Sequence, residues 1–560
     1  MKKIITLLLA FLLSAITFAQ VPNCLWAETV ETDNYSAGNC VCTDVNGNVY
    51  VTGFFYSDTI TFGTFTLTSG SIFIVKYAPN GTVLWAKSLG GSYEIASESI
   101  STDSNGNIFV TGNFRGTSIT FDTTTLSNNG SLYDYHTFLV KYAPDGTVNW
   151  AKSIDGIHEY RVPKVTTDVN GNVYLTGLFG GSTITIDTTT LTSNTIGGGQ
   201  FEIYLVKYTP DGNVLWAKSG GGPNNDFPTG ICTDASGNVY ITGTIQGPAI
   251  SFDTTTITNS GTTSYEYNFT VKYTSDGAVV WATSIDVGGL SYFNTYSLVA
   301  DATGNIYLSG SYNSPTLTCG TTTLTNAGYN DVFIVKYTSN GTVQWAKSAG
   351  GNYWCSAKSV STDASGNVYV TGFFSPSSIT FGSITLNLPG GATDVFIVKY
   401  ASDGTVLWAT TTPGSNSYAR GSSISVDNNE NIYVSGQFEA SNITFGTITL
   451  TNTNFNGIDY RGDFFIAKYA GLVTSLNEQL DNIELNIYPN PSSSTITLAS
   501  PSILNTNLTI TNHTGKQVAY YNIKNTTTKT IDVSNLAEGV YFVSLQCDEG
   551  VVTKKMVKTN

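Results

Sequence analysis

The sequence predicts an all-β fold: a seven-bladed β-propeller closed by its N-terminal strand, followed by a small Ig-like β-sandwich. Three observations lead to this prediction. One sequence unit recurs seven times, and its tryptophans, from Trp26 to Trp408, lie 59 to 66 residues apart. The composition favours strands and turns, with 56 glycines, 33 tyrosines and only 12 % charged residues among 560. After residue 470 the repeat ends and a different strand pattern begins.

The copy between residues 97 and 153 shows the pattern of the unit. We expect four strands, at 99–103, 108–114, 138–142 and 148–152, with an accessory hairpin at 119–126. A Pro-Asp-Gly turn joins the last two strands, because proline presets φ and glycine tolerates positive φ. Four strands per unit in radial repetition is the plan of a β-propeller.

The two ends of the repeat array are complementary. The first copy begins with a lone fourth strand, Cys24–Ala27, and the last copy stops after its third strand, Phe464–Tyr469. We expect these two strands to pair and close the ring, because closure removes the unpaired edges that open sheets must protect. An open solenoid would need capping units, which the pattern does not show.

The sequence predicts four parts. Residues 1–19 have the basic, apolar and small-x-small regions of a secretory signal peptide. Residues 20–470 form the propeller, and residues 471–485 form a linker. Residues 486–560 hold about seven short predicted strands, the size of a small β-sandwich. These strands are expected at 487–491, 494–498, 508–511, 518–523, 530–533, 540–545 and 551–557.

Charge and cysteine content restrict the partners. A net charge of −15 argues against nucleic acid and anionic membranes. No segment after the signal is long and apolar enough for a membrane span. The seven cysteines follow no metal-binding or disulfide-framework spacing, so we expect small strand residues with at most two bridges, and no metal or other cofactor.

An aspartate precedes the first turn in every copy. These residues are Asp44, Asp103, Asp168, Asp234, Asp301, Asp363 and Asp427. They could bind calcium, but one carboxylate per unit does not supply the six to eight oxygens that calcium prefers. We expect each side chain to accept hydrogen bonds from its own turn. The repeated lysine of the third strand is expected to link neighbouring units, paired with a carboxylate or lying over tryptophan, and the tryptophans to fill the gaps between units.

Catalytic patterns are missing from the sequence. His136, His158 and His513 show no metal-ligand spacing, and no nucleophile elbow or phosphate loop occurs in the right context. Carboxylates from separate units could still meet in space, and Glu94, Glu98, Glu159 and Asp226 are the candidates. We expect no enzymatic activity.

An aromatic residue occurs in the loop from the fourth strand to the next first strand of every copy. The set is Tyr35, Tyr93, Tyr160, Phe227, Tyr292, Tyr353 and Tyr418. Strand alternation places these loops on the same side as the accessory hairpins, with Arg161, Asn225, Asp226 and Arg420 nearby. Exposed rings with polar rims suit sugars or protein segments. Alternatively, the rings are tucked under the loops as small local cores.

The repeat resembles a known family. The segments Phe396–Ala409, Ser425–Gly436 and Ser361–Gly372 are similar to the bacterial beta-propeller repeat of the SBBP type. The resemblance covers residues 23–470 and implies a fold rather than one activity.

The tail resembles the type A C-terminal sorting domain of the type IX secretion system of Bacteroidetes-type bacteria. Its matching pieces are Tyr488-Pro-Asn-Pro491, Gly515-Lys516, Asn535–Tyr541 and Lys554–Lys558. The resemblance implies that residues 486–560 contact the type IX machinery and are removed after transport. It places the protein on the cell surface or in the medium.

These observations favour a secreted or cell-surface binding module for a polysaccharide or a protein. A structural surface-layer protein and an extracellular carbohydrate-active enzyme remain the alternatives.

Overall fold

The computed structural model describes residues 21–68, 71–91, 95–128, 134–157, 163–193, 200–258, 267–288, 293–375, 377–388, 393–414, 418–452, 455, 461–471, 486–512, 517–547 and 550–559. The predicted signal peptide and all but the first residue of the predicted linker lie outside these ranges. The chain divides after residue 472 into two compact units. The described residues contain strands and no helix, so the all-β prediction is confirmed.

The described residues of the larger unit form seven sets of four antiparallel strands, which we call sheets 1 to 7 in chain order. In sheets 1 and 3 the hydrogen bonding continues into an accessory hairpin and gives six strands. The first strands are Ser36–Thr43, Ile95–Thr102, Lys164–Thr167, Asp226–Thr233, Phe293–Ala300, Cys355–Thr362 and Ala419–Val426. The second strands are Val49–Phe55, Ile108–Phe114, Val173–Gly180, Val239–Ile245, Ile306–Tyr312, Val368–Phe374 and Ile432–Phe438. The third strands are Ile72–Tyr77, Tyr135–Tyr142, Phe201–Tyr208, Tyr267–Tyr273, Asp331–Tyr337, Asp394–Tyr400 and Asp463–Tyr469. The fourth strands are Val83–Gly91, Val148–Ile157, Val214–Gly221, Val279–Thr283, Val343–Ala349, Val406–Thr411 and, for sheet 7, Cys24–Thr29.

Sheet 7 is built from both ends of the repeat array. Cys24–Thr29 pairs antiparallel with Asp463–Tyr469, with Trp26 opposite Lys468 and Thr29 opposite Phe465. This pairing, predicted from the complementary ends, is confirmed. The first strand of each sheet contacts the first strands of the sheets before and after it, and the first strand of sheet 7 contacts that of sheet 1.

Serine side chains link the edges of these first strands. The Ser99 hydroxyl accepts a hydrogen bond from the Val165 backbone N–H at 3.2 Å, and Ser423 of sheet 7 accepts one from Val41 of sheet 1 at 3.1 Å. The same contact joins sheet 5 to sheet 6 and sheet 6 to sheet 7. Backbone groups that an open edge would leave bare are thus paired with the neighbouring sheet.

Each first strand except that of sheet 3 carries a one-residue bulge at the same place. The bulge falls on the residue before the linking serine position, for example Tyr296, Lys358 and Ser422. A bulge bends the strand and re-aims one side chain. These residues are half-exposed, and they lie on the first strands, which contact one another around the ring.

An accessory hairpin follows the second strand of every sheet. Its strand pairs are Thr59–Phe62 with Phe65–Thr68, Ser118–Phe121 with Thr124–Ser127, Thr183–Ile186 with Thr189–Thr192, Ala249–Phe252 with Thr255–Thr258, Thr316–Cys319 with Thr322–Thr325, Ser378–Phe381 with Ile384–Asn387, and Asn442–Phe445 with Ile448–Thr451. The hairpins of sheets 2 and 4 pair directly with the fourth strand of the preceding sheet, as Ile119 does with Gly91. Those of sheets 1 and 5 pair with the short strands Glu31–Thr32 and Asp286–Gly288, and those of sheets 3, 6 and 7 are separate two-stranded sheets. The hairpins lie at one end of each sheet, which we call the loop side. The turns between the third and fourth strands lie at the opposite end, which we call the turn side.

The cores lie between successive sheets. The second and third strands are buried along nearly their whole length, so their apolar residues form continuous runs rather than an alternating pattern. One such core joins Ile72 and Ile74 of sheet 1 to Ile108, Val110 and Phe138 of sheet 2.

The smaller unit is a five-stranded sheet. Its strands are Asn486–Tyr488, Thr495–Asn512, Gln517–Asp532, Gly539–Cys547 and Gly550–Lys558. The prediction of about seven short strands is corrected, because the pairs expected at 494–498 with 508–511, and at 518–523 with 530–533, are each one long strand. Register shifts between residues 499 and 506 let the two long strands stay paired through irregular backbone instead of ending there. Its core includes Leu498, Ile510, Val543 and Met556.

Candidate functional site

The repeated aspartates close the turns on the turn side. Asp44 accepts hydrogen bonds from the Asn46 and Asn48 backbone N–H groups at 2.9 Å, and from the Asn48 side chain at 2.8 Å. All seven copies make this set of contacts. The turn-closing interpretation of these carboxylates is confirmed, and their oxygens are used within the turn.

The repeated lysine and tryptophan share one acceptor on the next sheet. In sheet 2, Lys141 Nζ and Trp150 Nε1 both donate to the Pro210 carbonyl of sheet 3, at 2.9 and 3.1 Å. Lys468 and Trp26 of sheet 7 make the same contact with Pro79 of sheet 1. The lysines were expected to lie over tryptophan or pair with a carboxylate. Lys207 and Lys272 do lie 3.7 Å from a carboxylate, and Lys399 lies 3.2 Å from one. Each repeated lysine lies over the aromatic ring of the second strand rather than over tryptophan, as Lys207 does over Tyr174 at 5.0 Å.

The contact between sheets 6 and 7 departs from this pattern. Sheet 7 has no Asp-Gly turn between its third and fourth strands, because its fourth strand comes from the N-terminal end. Lys399 accordingly lies 3.6 Å from Glu430, which replaces the turn glycine of the other copies, and 3.2 Å from Asp363. The buried Trp408 Nε1 has no acceptor among the residues that the structure describes.

The predicted loop-side aromatics separate into three groups. Tyr353 and Tyr418 are exposed, at 62 % and 41 %, and Tyr35 is half-buried. Phe227 is buried at 5 %, so its prediction as a surface residue is wrong. The first strand of sheet 4 begins at Asp226, and strand alternation turns Phe227 into the core. Tyr93, Tyr160 and Tyr292 lie outside the described residues.

Backbone hydrogen bonds show which loop residues are equivalent. The carbonyls of Tyr35, Trp354 and Tyr418 each accept from the residue that follows the second strand of their own sheet, at 2.8 to 2.9 Å. Each of these aromatics directly precedes a first strand. Trp354, not the predicted Tyr353, thus occupies the repeated position in sheet 6. Sheets 6, 7 and 1 follow one another around the ring, so one backbone position carries an aromatic residue in three successive sheets.

Trp354 is held in place by its neighbours. The Asn330 backbone N–H donates to Tyr353 O at 3.3 Å, and Cys355 N–H donates to Asn330 O at 3.0 Å. With its side-chain oxygen facing the indole, Asn330 also accepts from Trp354 Nε1 at 2.9 Å. Tyr329, exposed at 62 %, meets Trp354 edge-on with the ring centres 6.2 Å apart. The indole is 44 % exposed while its N–H is satisfied.

Tyr35 is part of a stack of three rings. Its ring lies 5.7 Å from Phe54 and 6.2 Å from Tyr56, and Tyr56 is 67 % exposed. Burial, with a smaller contribution from Glu439, raises the pKa of Tyr35 to about 12. The hydroxyl therefore remains a proton donor at neutral pH.

Two cationic side chains of the first strands, Arg420 and Lys358, lie over aromatic rings. The Arg420 guanidinium lies 5.2 Å from the centre of the Phe373 ring, and Lys358 Nζ lies 5.6 Å from the same ring. Lys358 Nζ is also 3.7 Å from the Tyr296 ring centre. Burial lowers the pKa of Lys358, and the charge of Arg420 contributes to the lowering.

Buried carboxylates form a second group on the loop side. Glu202 and Asp226 are both fully buried, and burial, followed by the charge of Glu202, raises the pKa of Asp226 to about 8. Burial raises the pKa of Asp331 and of Asp394 to about 6. Asp226 was one of the carboxylates predicted as candidates for a catalytic pair, but its side chain is buried. Glu94 and Glu159 lie outside the described residues, as does the side chain of Glu98.

Histidine and cysteine form no metal centre in the part of the chain that the structure describes, where no group of three or more His, Cys, Asp or Glu could hold an ion. His136 contacts Asp155 at 2.8 Å. Cys24, Cys40, Cys42, Cys232, Cys319 and Cys355 are free thiols. No described helix has the length and apolarity to cross a membrane.

Two sequence families match this chain. Residues 216–248 match the beta-propeller repeat of the SBBP type, and residues 486–559 match the secretion system C-terminal sorting domain. The chain therefore carries a repeat of the SBBP type and a C-terminal sorting domain. The sorting domain implies export by the type IX secretion system and interaction with its machinery.

Two curated proteins are similar to the chain. The uncharacterized WD repeat-containing protein L264 of Acanthamoeba polyphaga mimivirus is 27 % identical over 540 residues, covering 81 % of this chain and 39 % of L264. The regulatory protein FlaEY of Caulobacter vibrioides is 23 % identical over 403 residues, covering 68 % of this chain and 40 % of FlaEY. The chain spans about two fifths of the length of each relative.

Among solved structures, one described as YCF48 bound to D1 peptide is similar, with 8 % identity and a TM-score of 0.35. The match covers 81 % of this chain and 98 % of that one. A match at this level carries no argument about function.

Proposed function

We propose that this protein is a secreted or cell-surface β-propeller of seven blades that binds polysaccharide through its loop side. The seven sheets and the pairing of Cys24–Thr29 with Asp463–Tyr469 support a closed ring of seven blades. Removal of an N-terminal signal peptide would precede export, with the sorting tail acting at the outer membrane. An Ig-like arrangement of the tail belongs to the same proposal.

The observation that carries the binding role is the aromatic position shared by Tyr35, Trp354 and Tyr418. Exposed aromatic rings that are grouped on one surface, with their polar atoms satisfied, are typical of ligand-binding or interaction sites. The Trp354 indole meets this condition, because Asn330 accepts its N–H while 44 % of the residue stays exposed. Sugar rings present apolar C–H faces that stack on such aromatic faces, with hydroxyls left for exposed polar side chains nearby such as Asn352.

We propose binding without catalysis. The carboxylates with the most strongly raised pKa values on the loop side, Asp226 and Asp331, are buried at 0 % and 1 % exposure, so a substrate cannot reach them. Incubation of the full chain with polysaccharides, followed by size-exclusion analysis of the products, tests this point. Shortened chains would identify a carbohydrate-active enzyme instead.

The binding role is tested with the full chain on an array of plant and microbial polysaccharides. We expect binding that is lost in the variant Trp354→Ala plus Tyr418→Ala, with an unchanged melting temperature. Tyr520→Ala, which removes an equally exposed ring from the C-terminal unit, should bind like the natural protein. Absence of binding to every polysaccharide would contradict the proposal and leave the structural surface-layer role.

A further inference from the structure

The first strands of sheets 5, 6 and 7 bring two cations together on the loop side. Lys358 is the bulged residue of the sheet 6 strand, and Arg420 lies near the start of the sheet 7 strand. Both approach the ring of Phe373, at 5.6 and 5.2 Å from its centre. The two charges are therefore at most about 11 Å apart, close to the Debye length of about 8 Å at physiological salt.

This arrangement is unusual for the chain. The protein carries a net charge of −15, and several of its other strand lysines contact carboxylates or turn carbonyls, as Lys152 does with Asp187 and Lys141 with Pro210. Neither Lys358 nor Arg420 forms an ion pair with any residue that the structure describes. Two like charges held near one ring repel each other, and the lowered pKa of Lys358 reports that repulsion together with burial.

A carboxylate, that of Glu439, lies near Arg420. Glu439 follows the second strand of sheet 7, and Arg420 lowers its pKa although burial raises it overall. The local balance of these three side chains is one positive charge, in a protein that is otherwise acidic. A negatively charged ligand would relieve the repulsion, while Glu439 would compete with that ligand for Arg420.

The aromatic residues are close to these cations in the sequence. Tyr418 directly precedes the strand Ala419–Val426 that carries Arg420, and Trp354 is four residues before Lys358. Arg420 is exposed and Lys358 is half-exposed. The guanidinium carbon lies 5.2 Å from the centre of the Phe373 ring, a contact that uses none of the five N–H donors of arginine.

We propose that Lys358 and Arg420 bind the acidic groups, carboxylate or sulfate, of an anionic polysaccharide whose sugar rings contact Tyr418 and Trp354. This inference rests on the proposed polysaccharide-binding function and assigns its ligand class. Electrostatic complementarity of this kind adds specificity and a salt dependence to binding by aromatic stacking.

The experiment measures binding of the full chain to polygalacturonate, dextran sulfate and neutral dextran by isothermal titration calorimetry. We expect tighter binding to at least one of the two anionic polymers than to dextran, weakening as NaCl rises from 0.05 to about 0.5 M. The preferred polymer distinguishes carboxylate from sulfate.

Two variants test the residues. Arg420→Gln plus Lys358→Met keeps the apolar stems and should weaken anionic binding about tenfold. Arg420→Gln alone changes an exposed side chain and should weaken it about threefold, whatever the double variant does to folding. Lys524→Ala plus Lys529→Ala removes the same charge from the C-terminal unit and should leave affinity unchanged.

Glu439→Gln sharpens the test, because removal of the competing carboxylate should strengthen anionic binding about twofold. Equal affinity for all three polymers, or anionic binding that survives Arg420→Gln plus Lys358→Met, would overturn this inference. Loss of binding on Trp354→Ala plus Tyr418→Ala would in that case leave the proposed function standing. No binding to any of these three polymers would overturn this inference, whereas the proposed function is overturned only when no polysaccharide of the array binds.

Discussion

The turn side and the loop side of the same seven sheets follow different rules. On the turn side, one aspartate, one lysine and one tryptophan make the same contacts in nearly every copy, and their polar atoms are satisfied within the protein. On the loop side, the equivalent positions hold different residues, several of them exposed aromatics or buried carboxylates. The difference indicates that the turn side maintains the ring, while the loop side is free to vary and can serve binding.

The largest expected effect comes from breaking the turn side. Lys207→Met leaves the buried Asp168 carboxylate, 3.7 Å away, without its counter-charge and removes the bond to Ser275 O. We expect a loss of about 3 kcal/mol in unfolding free energy, measured by thermal or denaturant unfolding, without a change in polysaccharide binding. Lys152→Met, which removes a cation from a partly exposed pair, is the control and should cost less than about 1 kcal/mol. Equal melting of Lys207→Met and the natural protein would contradict the role assigned to the turn side.

A pH-dependent effect is expected on the loop side. The folded-state pKa of Asp226 is raised from 3.8 to about 8, so burial favours its neutral form. The stability that the neutral carboxyl contributes is complete below a pH of about 4 and is lost as the pH rises through about 8. Asp226→Asn should therefore melt like the natural protein at pH 4 and at a higher temperature at pH 9. A melting temperature that falls equally in both proteins between these values would rule out this titration.

A smaller effect is expected where the ring closes. Ser423→Ala removes the acceptor of the buried Val41 N–H and should lower the unfolding free energy by about 1 kcal/mol. Ser422→Ala, at the adjacent half-exposed bulge, is the matched control and should change it by less than about 0.5 kcal/mol. Identical losses in the two variants would show that the hydroxyl of Ser423 is not specific to the closure.

The smallest effect concerns an accessory hairpin. Asp122 forms an ion pair with Lys87 at 2.8 Å but has a φ of 51°, a conformation that glycine adopts more readily. Four other hairpins have glycine there: Gly63, Gly320, Gly382 and Gly446, with φ between 55° and 61°. Asp122→Gly removes a weak surface ion pair but relieves the backbone strain of a positive φ. We therefore expect the unfolding free energy to change by less than about 0.5 kcal/mol, measured by differential scanning calorimetry.

The same contrast explains what the sequence could predict. Turn-side residues recur at nearly constant spacing, so the strands, the aspartate turns and the pairing of Trp26 with the last repeat followed from the repeat pattern. Loop lengths differ between copies, and spacing alone aligned Tyr353 and Phe227 with Tyr418. Only the backbone hydrogen bonds show that Trp354 is the equivalent residue and that Phe227 already belongs to a strand.

The first-strand bulge and the two long strands of the C-terminal unit were also missed. A bulge has no characteristic residue type in this chain, because the extra residue is Tyr296 in one sheet, Lys358 in another and Ser422 in a third. Arg420 and Lys358 belong to different sheets and approach the same ring. Their separation along the chain gives no indication that they lie close together. Turn residues inside the long strands resemble strand ends in the sequence, although register shifts carry the pairing past them.

The composition of sheet 7 has a consequence for biosynthesis and processing. Its fourth strand is made first and its other three strands last, so the ring cannot be completed until residue 469 has emerged, and long-range pairings of this kind fold slowly. Proteolytic removal of the segment after Tyr469 would take away no strand of the ring. A cut only a few residues earlier would instead detach the partner of Cys24–Thr29 and open the circle.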